Sequence, residues 1–116
     1  MQLTHTLHAL KQSAFTLTLA NVDSHEHERG YHLSATLVID GEPALNFTQP
    51  GDGSAAQVEY LSERMHCATD IMLDAMNFGG AMRRDGWSLK TPHQRLQLEC
   101  LIGLLQAQTE QLITLH

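Results

Sequence analysis

The chain lacks any hydrophobic stretch as long as a membrane-spanning helix. Its longest apolar run before a glycine is Cys100-Leu101-Ile102, which resumes as Leu104-Leu105, whereas a transmembrane helix needs about 20 predominantly apolar residues. The first twelve residues, MQLTHTLHALKQ, also lack the basic start and the apolar block of a secretory signal. We therefore expect a soluble protein of the cytoplasm that does not contact membranes.

Cysteine is scarce, because the chain has only Cys67 and Cys100. Their separation excludes a local CxxC pair, and without a secretory signal we expect reduced thiols that pack as small hydrophobic side chains. His66 precedes Cys67, but neighbouring residues on a helix point about 100° apart. His66 is therefore badly placed to activate a cysteine nucleophile.

The motifs of common enzyme classes are also missing. The sequence contains no P-loop, no G-x-S-x-G elbow, no Rossmann glycine motif and no H-E-x-x-H helix. No pair of acidic residues stands in an apolar setting that would raise the pKa of a carboxylic acid. We expect a protein that is not an enzyme, with no catalytic residues and no cofactor.

Basic residues are few, with 7 Lys and Arg against 13 Asp and Glu and a net charge of −6. This balance disfavours direct nucleic-acid binding. The whole net charge falls between positions 40 and 74, where Arg64 is the only basic residue. The acidic residues of this segment are Asp40, Glu42, Asp52, Glu59, Glu63, Asp70 and Asp74.

These acidic residues support two interpretations. They could form a solvated helix face, or a surface that steers the protein onto a basic partner protein. Basic surfaces occur chiefly on proteins that handle nucleic acid, so the second interpretation predicts an inhibitor that acts as a nucleic-acid mimic. Arg83, Arg84 and Trp87 are candidates for a second interface, although such a tryptophan more often closes the core beside a turn.

Alternating apolar residues predict antiparallel strands in the first half. AFTLTLANV has the inward set Phe15, Leu17 and Leu19. YHLSATLVID has the inward set Tyr31, Leu33, Ala35, Leu37 and Ile39. Asp40-Gly41 then favours a tight turn, since both residue types tolerate positive φ, and a third short strand follows with Leu45 and Phe47 inward.

The second half predicts two helices. Ser54 and Gln57 resemble a capping box, so we expect the first helix to begin there and Gly79-Gly80 to stop or kink it. Its apolar stripe would be Val58, Leu61, Met65, Ala68, Met72 and Ala75, with Glu59, Glu63, Asp70 and Asp74 on the outer face. Thr91 as N-cap and Pro92 at the first position would open the second helix.

The second predicted helix has a broad apolar face, formed by Leu98, Leu101, Ile102, Leu104, Leu105, Leu112, Ile113 and Leu115. It should be buried against the sheet or against a second subunit, so a structural homodimer is an alternative function. Residues 1–12 suit a helix or a strand, and residues 81–90 suit an Asp-Gly hairpin or a short helix that ends at Gly86. We predict a single α+β domain over residues 1–116, in which an N-terminal antiparallel β-meander of three to four strands is followed by two α-helices packed on one face.

Three of the eight histidines lie in the stretch VDSHEHERGYHL, together with acidic residues. Imidazole and carboxylate are good zinc ligands, so His25 and His27 are candidates for a small metal-binding protein. If the first strand stays extended, however, His25 and His27 leave by one face of the sheet and His32 by the other. The more favoured interpretation is therefore a solvated hairpin tip with no metal, and a pH-responsive contact is a third possibility.

Overall fold

The computed structural model describes residues 4–28, 30–51, 54–87 and 93–114; the side chains of His27 and of residues 109–114 are outside this description. It divides into two compact units, one formed by Thr16–Ala68 and one by the chain up to Phe15 together with the chain from Thr69 onward. In chain order the elements are α1 (Thr4–Lys11), β1 (Leu17–His27), β2 (Gly30–Ile39), β3 (Glu42–Gln49), β4 (Gln57–Tyr60), α2 (Glu63–Met76), α3 (Phe78–Arg84) and α4 (Gln94–Thr114).

The predicted α+β class is confirmed, because an antiparallel meander precedes the main helices. The sheet has the strand order β1-β2-β3-β4, and each strand pairs antiparallel with its neighbour in sequence. Of the two conformations left open for residues 1–12, the described part of that segment has the helix, over Thr4–Lys11. Among the described residues, no helix combines the length and the apolar character needed to cross a membrane.

The inward set of β2 is confirmed at four of its five positions. Leu33, Ala35, Leu37 and Ile39 are buried, whereas Tyr31, which lies near the turn of the β1–β2 hairpin, is 39% exposed. At the opposite end of β2, Asp40 and Gly41 both have positive φ, as a tight two-residue turn requires. The Asp40 carboxylate accepts a hydrogen bond of 2.7 Å from the backbone N–H of Thr16.

β1 contains a bulge that its amino-acid pattern did not predict. Asn21 has a φ of +53°, and the pairing register with β2 shifts between Ala20 and Asp23. A bulge places an extra residue in one strand, so the side chains beyond it exchange faces. After Val22, the odd-numbered residues of β1 therefore lie on the opposite face of the sheet from Leu17 and Leu19.

The predicted start of the first helix is wrong. Residues 57–60 form the strand β4, in which Phe47 pairs with Val58 and Leu45 with Tyr60. Val58 and Tyr60 are half-buried and alternate with exposed residues, which is the period of a strand. The helix α2 begins at Glu63, and the Ser62 hydroxyl accepts a hydrogen bond of 3.1 Å from the backbone N–H of Met65.

The predicted end of this helix is also displaced. α2 ends before Asn77, which adopts the left-handed conformation, and Gly79-Gly80 lie inside the short helix α3. α3 ends at Arg84 and is followed by Gly86 with a φ of +103°. The helical alternative for residues 81–90 is therefore right over the described part of that segment.

α4 begins at Gln94, with His93 as its cap. The Nδ1 atom of His93 accepts a hydrogen bond of 3.1 Å from the backbone N–H of Leu96, and such a bond satisfies one of the free donors of a helix start. The predicted capping residues Thr91 and Pro92 lie outside the described residues. The predicted apolar face is at most 7% exposed at its described positions, which are Leu98, Leu101, Ile102, Leu104 and Leu105. This part of the face is therefore covered within a single chain and does not require a second subunit.

Candidate functional site

The turn end of the β1–β2 hairpin brings together one carboxylate and two imidazoles. His25 and His32 are direct partners across the two strands. Their rings stack with centroids 4.7 Å apart and planes inclined by 20°. The Asp23 Oδ1 atom lies 4.0 Å from His25 Nδ1, and one donor atom from each of the three side chains lies within 4.8 Å of the other two.

The expectation that His25 and His32 leave by opposite faces is wrong. Directly paired residues of antiparallel strands share a face of the sheet, and the bulge between Ala20 and Asp23 reverses the parity on which the expectation depended. Asp23 has the same parity as His25, because they are two residues apart beyond the bulge. His27, the other metal candidate, has a side chain outside the described residues.

This cluster is accessible to solvent. Asp23 and His25 are exposed and His32 is half-buried, so an ion or a partner side chain can reach all three. Glu26, which follows His25, has Tyr31 as its cross-strand partner and leaves by the other face. Asp23 therefore belongs to the cluster, whereas Glu26 does not.

The acidic residues of the segment from 40 to 74 have different environments. In the unit Thr16–Ala68, Glu59 and Glu63 are exposed, while Glu42 is half-buried and forms an ion pair with Arg64. Asp40 belongs to the turn after β2, and Asp52 lies outside the described residues. Glu59 is on β4, so the prediction that it shares a helix face with the other acidic residues is wrong.

In the other unit, Asp70 and Asp74 are exposed on α2. The Asp70 carboxylate accepts a hydrogen bond from the side-chain amide of Gln94. Between Asp70 and Asp74 in the sequence lies Ile71, which is 63% exposed. A large, exposed aliphatic side chain therefore lies one residue after one exposed carboxylate and three residues before the other.

The candidates for a second interface also differ from one another. Arg83 and Arg84 are exposed in the last turn of α3, whereas Trp87 is half-buried. The backbone N–H of Trp87 donates a hydrogen bond of 3.2 Å to the carbonyl of Met82. This contact fits a tryptophan that closes the end of a short helix. The predicted homodimer stays a prediction.

The two cysteines are free, but only Cys100 is packed. Cys67 is exposed, so the expectation that it packs as a small hydrophobic residue is wrong. Burial, followed by the charge of Asp85, raises the pKa of Cys100 to about 11. The His66 ring stacks on Tyr60, with centroids 3.9 Å apart and planes inclined by 12°.

A cleft of about 320 Å³ lies in the unit that contains α1 and α3. Its polar lining residues are His5, His8, Gln12, Ser13, Asn77 and Arg84. No local pattern indicates this cleft, because its residues come from α1 and the segment after it, from the junction between α2 and α3, and from α3.

Sequence reasoning identified His25 but missed Asp23 and His32 as its neighbours in space. One signal could have found them. Asn tolerates the left-handed conformation better than most residues, so Asn21 at the centre of a long strand indicates a possible bulge. That single irregularity changes which histidines share a face.

Comparison with known proteins identifies no relative. No family model matches the chain, and no match was found among curated proteins or among solved structures.

Proposed function

We propose that the protein is a non-catalytic protein-binding module that docks an acidic surface onto a basic surface of a partner protein. The observation that supports this proposal best is Ile71, which is 63% exposed on α2 between the exposed residues Asp70 and Asp74. Protein interfaces combine an apolar centre with a polar and charged rim. Ile71 would supply the anchor, and the two carboxylates would supply the rim.

The other unit has a comparable group. Leu61 is 47% exposed, and Glu59 and Glu63 on either side of it in sequence are exposed. In both cases a solvent-exposed aliphatic side chain loses unfavourable contact with water on docking, and the nearby carboxylates attract a partner of opposite charge. The charge balance supports the same kind of partner, because the chain carries a net charge of −6.

The chemistry of the partner follows from this charge. A partner rich in Lys and Arg would be steered toward the protein from a distance, and the attraction would weaken as salt screens it. Such surfaces are most common on proteins that bind the phosphates of nucleic acids. We therefore propose that the module inhibits a nucleic-acid-handling protein by occupying its phosphate-binding surface.

The test begins with a pull-down from the native host, followed by mass spectrometry and purification of the captured protein. Binding to the purified partner should weaken steeply as the salt concentration rises. Asp74→Lys and Ile71→Ser should each weaken it by roughly tenfold or more. Glu28→Lys is the matched control, since Glu28 is exposed and lies outside the acidic segment. Binding that ignores salt and survives Asp74→Lys would contradict the proposal.

Competition tests the inhibitory role separately. If the module occupies a phosphate-binding surface, a short DNA or RNA duplex should displace it from the partner. A captured partner that shows salt-sensitive binding but no competition with nucleic acid would retain the docking proposal and refute the inhibitory one.

A further inference from the structure

We propose that Asp23, His25 and His32 form an open three-ligand site for a divalent transition-metal ion, with zinc as the ion that the donor set suits best. The site uses three donor atoms that lie within 4.8 Å of one another. It is independent of the acidic docking surface, because none of the residues assigned to that surface belongs to it.

The donor chemistry selects the ion. Two imidazole nitrogens and one carboxylate oxygen are ligands that zinc accepts readily, whereas calcium and magnesium prefer sites made of oxygen alone. Three protein ligands leave the fourth tetrahedral position for water or for a group from another molecule. We therefore infer an open site rather than a closed structural one.

The strands hold the three ligands in a favourable arrangement. His25 and His32 are paired across β1 and β2, and Asp23 stands two residues before His25 on the same strand. This backbone scaffold is already formed, so binding needs no change of strand register. The bulge at Asn21 is the feature that puts all three residues on one face.

Metal binding requires a small movement of side chains. Ligand atoms around a tetrahedral zinc lie about 3.4 Å apart, since each bond is about 2.0–2.1 Å long. The donor atoms lie within 4.8 Å of one another, so no separation has to shorten by more than roughly 1.4 Å. The side chains of Asp23 and His25 are exposed, so solvent surrounds them where they would change rotamer. The stacked rings would turn until a nitrogen lone pair of each points at the ion.

The test is a titration of the protein, without any histidine tag, with zinc in an isothermal calorimeter. We expect one ion per chain. Asp23→Asn, His25→Asn and His32→Asn should each weaken binding by roughly tenfold or more, because each removes one of three ligands. These positions are at a solvent-accessible hairpin end, and far-ultraviolet circular dichroism checks that each variant keeps its fold.

Matched controls separate this site from other donors on the surface. His8→Asn removes an exposed histidine on α1, Glu26→Gln removes a carboxylate on the opposite face of the hairpin, and Cys67→Ser removes the exposed thiol. All three should bind zinc as the wild type does. Equal loss in the controls and in the cluster variants, or unchanged binding after His25→Asn and His32→Asn, would overturn the proposal.

A spectroscopic readout identifies the ligands directly. Histidine ring nitrogens in a two-dimensional ¹H–¹⁵N NMR spectrum should shift on zinc addition for His25 and His32, and not for His8. Cobalt in place of zinc should give the strong visible absorption of a tetrahedral ion. Shifts spread over all histidines, with no tetrahedral spectrum, would show weak surface binding only and would refute the assigned site.

Discussion

Thr6 donates two hydrogen bonds to Asp85, which lies 79 residues further along the chain. Its backbone nitrogen lies 2.8 Å from Asp85 Oδ2, and its hydroxyl oxygen lies 2.9 Å from the same atom. The backbone N–H of His5 donates to the other carboxylate oxygen at 2.8 Å. Because His5 and Thr6 belong to the first turn of α1, the carboxylate after α3 caps the start of a distant helix.

Replacing Asp85 by Asn should destabilise the protein. The amide keeps one acceptor oxygen but turns an NH₂ group toward donors, in a position where the native residue is only 5% exposed. We expect a loss of about 2–3 kcal/mol in the free energy of unfolding, the cost of leaving buried donors unpaired at a charged acceptor. Urea unfolding followed by circular dichroism measures it, and Asp74→Asn, at an exposed position of α2, should change the free energy of unfolding by at most about 0.5 kcal/mol.

The same carboxylate should make stability depend on pH. Burial raises the pKa of Asp85, but the hydrogen bonds from His5 and Thr6, with the charge of His5, lower it more, so the pKa lies below its ordinary value of 3.8. The unfolded chain then binds a proton more readily than the folded one, and stability is lost as pH falls. This contribution is fully present above the ordinary pKa, which applies to the unfolded chain, and disappears as pH falls through the lower pKa of the folded state.

Unfolding free energies of the wild type and of Asp85→Asn, measured from pH 6 down to pH 2, check this dependence. The difference between the two proteins should shrink as the pH falls through the pKa of Asp85 in the folded state. A difference that stays constant over the whole range would show that the ionised carboxylate is not what stabilises the start of α1.

The two cysteines should react at very different rates. Cys67 is exposed, whereas Cys100 is half-buried and has a pKa raised to about 11. The thiolate is the reactive form, so Ellman's reagent at pH 8 should modify one thiol rapidly and the second only slowly. Cys67→Ser should remove the fast phase, and Cys100→Ser should leave it intact. Two equal rates, or a fast phase that survives Cys67→Ser, would contradict this assignment.

The parts of the fold that follow local pattern could be predicted from the sequence. β2 alternates regularly from Leu33 to Ile39, and Asp40-Gly41 is a strong turn signal. The sequence therefore predicted both β2 and the turn that leads into β3. β4 was not predicted, because Val58 and Leu61 also fit the stripe of a helix that continues into α2. A strand of four residues offers too few alternations to decide between the two periods.

The candidate sites depended on features that a local pattern does not contain. The bulge at Asn21 moves His25 onto the face of His32, and a shift of one residue is enough to reverse the prediction. The role of Asp85 was equally hidden, since its partners are at the other end of the chain. Charge was easier to assess, but the sequence could not show that Glu42 pairs with Arg64 or that Asp40 is used in a turn.

Gly51 and Gly41 together test whether the close backbone contact between Gly51 and Tyr31 affects stability. Both have φ near +80°. A Cβ atom built on Gly51 would lie 2.3 Å from the Tyr31 carbonyl oxygen, whereas one on Gly41 would meet nothing within 4 Å. Gly41→Ala should therefore cost only the penalty of a side chain at positive φ, about 1–2 kcal/mol.

Gly51→Ala should cost more, by about 2 kcal/mol or above, since the contact is with backbone atoms that must move apart. Thermal and urea unfolding of the two variants measure the difference. If both alanine variants lose the same stability, the positive φ alone explains the requirement for glycine, and the close approach of Gly51 to Tyr31 has no energetic role.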